Sequence, residues 1–93
     1  MTVLQTPGFA RAVRKLHLNQ KSDLDAAIRV LLVQPTIGNL KQGELAGIRV
    51  YKFSMNRQLT LVTYSCDESL SCLTLLALGS HENFYRDLKS NGG

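Results

Sequence analysis

The spacing of apolar residues along the chain changes once, near residue 48. Before that point they recur every three or four positions. Phe9, Val13 and Leu16 make one stripe, and Leu24, Ala27, Ile28 and Leu31 make a second. That spacing predicts two helices, each with one face turned to a core. Thr6-Pro7 suits the start of the first, with a hydroxyl at the N-cap and proline at the first helical position. Asn19 reads as the cap of the second. Pro35 stops it, because proline lacks the backbone donor that a helix interior needs. Two helices joined by a short turn form a helical hairpin. Ahead of them, Val3-Leu4-Gln5-Thr6 reads as a short strand. The segment from Pro35 to Gly47, with Gly38, Gly43 and Gly47, reads as a loop. From Ile48 the period falls to two and the residues become β-branched and aromatic. Strands are expected at about 48–55, 59–66 and 70–78. Met55-Asn56-Arg57-Gln58 and Asp67-Glu68-Ser69 are turns of hairpin length. Asn83 to Lys89 fits a last short helix carrying Phe84, Tyr85 and Leu88. The order β-α-α-β-β-β-α describes an α+β domain, a helical hairpin packed on a largely antiparallel four-stranded sheet.

Composition narrows the class of molecule. The 93 residues are read as one domain, and 44% hydrophobic against 19% charged residues suits a globular core. The apolar runs Val30 to Val33 and Leu73 to Leu78 are far below the ~18 residues of a membrane helix. The start of the chain has neither the basic region nor the apolar stretch of a signal peptide, which favours a cytoplasmic protein. Cys66 and Cys72 are too few for a disulfide scaffold and, in the cytosol, are expected as thiols. Their spacing does not suit a zinc site, whose ligands come in close pairs, and no metal or other cofactor is expected. There are 11 Lys+Arg against 7 Asp+Glu, a net charge of +4. A small basic domain points to nucleic acid, an acidic protein partner or an anionic surface, and charge alone does not choose.

The order of elements resembles that of the RelE/ParE toxin superfamily of type II toxin–antitoxin modules. So do two stretches: Leu45-Ala46-Gly47-Ile48-Arg49-Val50-Tyr51-Lys52, and the ending Leu76-Ala77-Leu78-Gly79-Ser80-His81-Glu82-Asn83-Phe84-Tyr85. The likeness runs from Val3 to about Leu88, and its most specific part is the Gly-x-His-x-x-x-(Phe/Tyr) block. That block is similar to the ending of the YafQ branch, whose members cleave messenger RNA on the ribosome. The resemblance implies a RelE-like fold and a ribosome-dependent mRNA endonuclease neutralised by a cognate antitoxin. The ParE branch of the same fold instead poisons DNA gyrase and has no RNase site.

Metal-independent RNA cleavage uses the 2′-hydroxyl as nucleophile. It needs a base, an acid for the leaving 5′-oxygen, and positive charge at the phosphorus. Histidine titrates near neutrality and suits the acid–base work. His81 lies just past the third long strand; by position alone a solvent-exposed loop histidine is the commoner reading. On the resemblance, His81 matches the YafQ branch's catalytic histidine. Tyr85 matches that branch's aromatic position, where a ring can stack on a base. Tyr85 and Phe84 are expected to divide the work of base contact and core anchor, with Phe84 the anchor. Lys52 stands where YafQ relatives carry a histidine and RelE relatives a lysine. As a cation it can stabilise the phosphorane, which leaves the identity of the base open. Arg49 shares a strand face with Tyr51 and Phe53, and reads equally as a phosphate contact or as a cation covering the core with its stem. Arg57 in the first hairpin turn and Lys41 in the glycine-rich loop can reach ribosomal RNA phosphates. The position that best aligns with an arginine of RelE is Leu61, so one positive group of that site is either missing or supplied by Arg57 or Arg86. For any single Lys or Arg, solvated surface is the commoner explanation.

The resemblance also implies partners: a ribosome with its mRNA, and an acidic, partly disordered antitoxin that docks on grooves around the helical pair. Operator DNA is expected only through the antitoxin, and no membrane partner is expected. The competing readings are a ParE-like gyrase poison without RNase activity and a degenerate member that only binds its antitoxin.

Overall fold

The computed structural model describes residues 1–41 and 47–80. Five strands and two helices follow in the order β1 (Thr2–Gln5), α1 (Pro7–Arg14), α2 (Leu18–Val33), β2 (Asn39–Leu40), β3 (Arg49–Met55), β4 (Gln58–Asp67) and β5 (Cys72–Ser80). The strands form one sheet in the order β1-β5-β4-β3-β2. Only β1 and β5 run parallel; the other pairs are antiparallel. Helix α1 packs on β5 and α2 on β3. This is the expected α+β fold, a helical pair on a largely antiparallel sheet, with a two-residue fifth strand added. That strand lies inside the predicted loop, and two residues are too few to show a period. The expected helix at 83–89 lies outside the described residues.

The apolar stripes of the two helices do what their spacing predicts. Phe9, Leu24, Ala27 and Leu31 are buried, and Val13, Leu16 and Ile28 pack beside them. Thr6 caps α1 as expected: its Oγ1 accepts from Phe9 N–H at 3.2 Å and donates to the Leu76 carbonyl at 2.9 Å. Leu76 is the extra residue of a β-bulge, because Thr63 pairs with Ala77 and Tyr64 with Leu75. The bulge thus ties the start of α1 to the sheet.

The second cap is a correction. The N-cap of α2 is His17, not Asn19. The His17 N–H donates to Gln20 Oε1 at 2.9 Å, one half of a capping box. Asn19, inside the helix, accepts from the Gln20 N–H with its Oδ1 at 3.0 Å, which leaves its Nδ2 to donate elsewhere. Helix α2 stops at Val33, two residues before Pro35, since the residue preceding a proline is pushed out of helical geometry.

The central strand β4 is buried continuously from Thr60 to Tyr64, so both faces of the sheet are covered there. Val62 and Tyr64 face the helices; Val50, Leu61 and Ala77 form a second cluster on the opposite face. Tyr64 reaches past the sheet to the loop after α2. Its hydroxyl donates to the Pro35 carbonyl at 2.7 Å and accepts from Gly38 N–H at 3.0 Å. Cys66 pairs with Leu73 while Cys72 pairs with Asp67. Because neighbouring rows point to opposite faces, the two thiols do not meet; both are free. Burial, with Glu68 second, pushes the Cys66 thiol up.

Candidate nucleic-acid interface

Strand register brings two of the expected site residues, Lys52 and Arg57, to one end of the sheet. Lys52 pairs with Leu61, and Leu61 with Gly79, so the three stand in one row across β3, β4 and β5. Side chains in that row project from the face away from the helices, where Lys52 is exposed beside buried Leu61. The next row is Phe53, Thr60 and Ser80. Strand β5 therefore ends level with Thr60, three residues from Arg57, a span of at most ~10 Å. His81 directly follows Ser80 in the chain. His81, Tyr85 and Arg86 lie outside the described residues.

The β3–β4 turn is a two-residue loop. Met55 pairs with Gln58, and Asn56 and Arg57 between them have φ of 52° and 68°. Two successive positive φ values belong to a type I′ turn, whose backbone matches the twist of the strands it joins. Helix α2 holds this turn from the side. Asn56 N–H donates to Asp23 Oδ2 at 2.8 Å, and Asn19 Nδ2 donates to Asn56 Oδ1 at 3.0 Å. Arg57 is exposed. Asp23, within α2, thus serves the turn. These contacts join residues 33 and 37 positions apart, so no local spacing announces them.

Arg49 is not brought to Lys52. It lies on the face of Tyr51 and Phe53, three residues away, and its guanidinium donates to the carbonyls of Thr36 at 3.1 Å and Gly38 at 2.9 Å. Together with Tyr64 it fixes the loop after α2. These bonds tie Arg49 to the loop after α2, a role that neither the phosphate-contact reading nor the core-covering reading named. Lys41 stands at the far side of the sheet in β2's exit, where its N–H donates to the Ile48 carbonyl at 2.8 Å. Among the described residues, the cations that gather near the end of β5 are Lys52 and Arg57.

A groove of about 220 Å³ runs between α2 and β3, lined by Asp23, Ala26, Ala27, Val30, Tyr51 and Phe53 among others. The rings of Tyr51 and Phe53 stack with centroids 6.2 Å apart. It opens on the helix face, away from Lys52. Among the described residues no three His, Cys, Asp or Glu side chains cluster to hold a metal, and no helix is long and apolar enough to cross a membrane.

A sequence profile of the ParE-like toxins of type II bacterial toxin–antitoxin systems matches residues 3–89. The chain belongs to this family. Solved structures show how far the toxin's fold extends across the RelE/ParE superfamily. The RelBE toxin–antitoxin complex of E. coli is similar at 16% identity and a TM-score of 0.70, over 87% of this chain and 96% of that one. A YoeB/ParE toxin from Agrobacterium tumefaciens gives 15% identity and a TM-score of 0.73, over 87% and 99%. The RelBE2 toxin–antitoxin complex of Mycobacterium tuberculosis gives 25% identity and a TM-score of 0.60, over 86% and 96%. A search of curated proteins finds no match. At these identities the structural matches speak for the fold, and the toxin's target is a matter for its own residues.

Proposed function

We propose that this toxin is a ribosome-dependent mRNA endonuclease. The observation that carries the proposal is the row Lys52–Leu61–Gly79, which sets an exposed cation one residue short of the strand end that leads into His81. In this reading the 2′-oxygen of the substrate attacks the adjacent phosphorus and the bond to the 5′-oxygen breaks. The 2′-hydroxyl proton leaves to a base, and a proton is delivered to the 5′-oxygen, giving a 2′,3′-cyclic phosphate and a 5′-hydroxyl. His81 performs one of these transfers, and the Lys52 ammonium stabilises the charge on the phosphorane. Tyr85 contacts a base, and Arg57, Arg86 and Lys41 contact phosphates.

The inhibitor is an antitoxin, as in the RelBE complexes, and an acidic segment would complement the toxin's charge. The groove between α2 and β3 suits a segment of that antitoxin, since it sets the apolar side chains of Ala27 and Val30 beside the stacked rings of Tyr51 and Phe53. Operator DNA is reached only through the antitoxin.

One observation favours a second reading, a ParE-like gyrase poison. Leu61 is fully buried and apolar where RelE-like sites are expected to carry a cation. Primer extension on a translated mRNA separates the two. Cleavage at ribosome-occupied codons, lost in His81→Ala, supports the endonuclease. Intact mRNA together with double-strand DNA breaks supports the gyrase poison. Lys52→Ala is expected to lower the cleavage rate more than it lowers ribosome affinity.

A further inference from the structure

The β3–β4 turn contains a contradiction that bears on how the toxin meets RNA. A type I′ turn asks for glycine at its second central position, since a side chain at positive φ crowds the backbone. This chain has Arg57 there, at φ 68°. A residue in such a conformation persists only where its surroundings over-determine it. The surroundings here are Asn19 and Asp23 on α2, which hold the side chain and the N–H of Asn56. The turn extends beyond Ser80, at the end of the sheet where Lys52 stands.

We infer that Asn19 and Asp23 are positioning residues for RNA binding: they lock the turn so that Arg57 is presented to a phosphate beside the Lys52 row. The inference rests on the endonuclease reading and adds to it a support that neither contacts RNA nor takes part in the chemistry. The lock confines a long side chain to one exit direction before RNA arrives, which lessens the ordering cost of binding. Asp23 is a demanding choice for this role, because a carboxylate near an RNA path repels phosphate. Its value must come from the hydrogen bond it accepts. That makes the inference separable from plain electrostatics. Removing the charge alone predicts that Asp23→Ala and Asp23→Asn both bind RNA more tightly. Removing the lock predicts that Asp23→Ala binds more weakly, while Asp23→Asn, whose amide oxygen still accepts from Asn56 N–H, does not.

The test measures ribosome affinity, its salt dependence and the cleavage rate at saturating ribosome for the full chain. Asp23→Ala should weaken affinity roughly tenfold and lower the salt slope by about one, as loss of one phosphate contact does, with the saturated rate preserved. Asp23→Asn should stay within about twofold of wild type, the shared hydrogen bond being kept. In an Arg57→Ala background, Asp23→Ala should cause no further loss, because the contact it supports is already gone. Faster hydrogen exchange of the Asn56 amide in Asp23→Ala, with an unchanged circular-dichroism spectrum and a cooperative unfolding transition, shows that the turn and not the whole fold has loosened. Unchanged or tighter binding by Asp23→Ala overturns the inference, as does a full additional loss in the Arg57→Ala background. If wild-type toxin neither binds nor cuts on ribosomes, the endonuclease reading falls and takes this inference with it.

Discussion

Replacing Arg57 by glycine should make the toxin more stable and less able to bind its target. The backbone at residue 57 has φ 68°, in the left-handed region. A non-glycine residue there costs about 1–2 kcal/mol, and glycine removes that cost. Glycine also gives the unfolded chain more freedom, which returns about 0.5–1 kcal/mol. The net gain is about 0.5–1 kcal/mol. For a domain of this size 1 kcal/mol moves the midpoint by about 4–8 °C, so Tm should rise by roughly 2–8 °C. The locks from Asn19 and Asp23 act on Asn56 and survive the substitution, so the hydrogen bonds that hold the turn among the described residues are kept. Thermal unfolding followed by circular dichroism reads the first effect, and ribosome affinity across a salt series reads the second. A rise in Tm with weaker, less salt-dependent binding is the expected pair. A fall in Tm would show that Arg57 stabilises the fold and that its conformation is not strained. A rise in Tm with unchanged binding would show that strain is present but serves no contact with RNA.

Two further expectations concern the other end of the sheet. A Cβ at Gly38 would stand 2.7 Å from Tyr64 Oη and 2.8 Å from Cε1, so Gly38→Ala must displace a fully buried ring. It should lower stability by about 1–3 kcal/mol, measured by urea unfolding. Burial, only partly opposed by the Gly38 N–H and by Arg49, raises the Tyr64 phenol above its ordinary value of about 10. Its folded value thus exceeds its unfolded one. The stability tied to the neutral phenol is complete below about pH 10 and is lost as pH rises through the folded value. Tm measured from pH 8 upward should drop beyond that point, and Tyr64→Phe, already weaker by the hydrogen bonds it cannot make, should lack this component of the drop.

Much of this toxin was readable in one dimension, for a physical reason. A helix or strand must turn its apolar side to a core, and the period of that side is printed in the chain: Phe9, Val13 and Leu16; Leu24, Ala27 and Leu31; Tyr51 and Phe53. Local chemistry announced the Thr6 cap and the Asn56-Arg57 turn. Capping of α2 was harder, because His17, Asn19 and Gln20 compete for neighbouring roles and the choice depends on what else Asn19 can bond. That alternative, Asn56, is 37 residues away. The same holds for Arg49, whose bonds to the carbonyls of Thr36 and Gly38 join residues 13 and 11 positions apart and so are invisible to strand periodicity.

By itself, then, the amino-acid sequence determined the elements, their buried faces and the excess of positive charge, since each of these follows from neighbours within a few residues. Tertiary structure decided what the charges do. It placed Lys52 and Arg57 near the end of β5, tied the Arg49 guanidinium to the loop after α2, and set α2 against a turn whose Asn56 it holds. Pairings of that kind arise between residues dozens of positions apart, where only the folded register brings donor to acceptor.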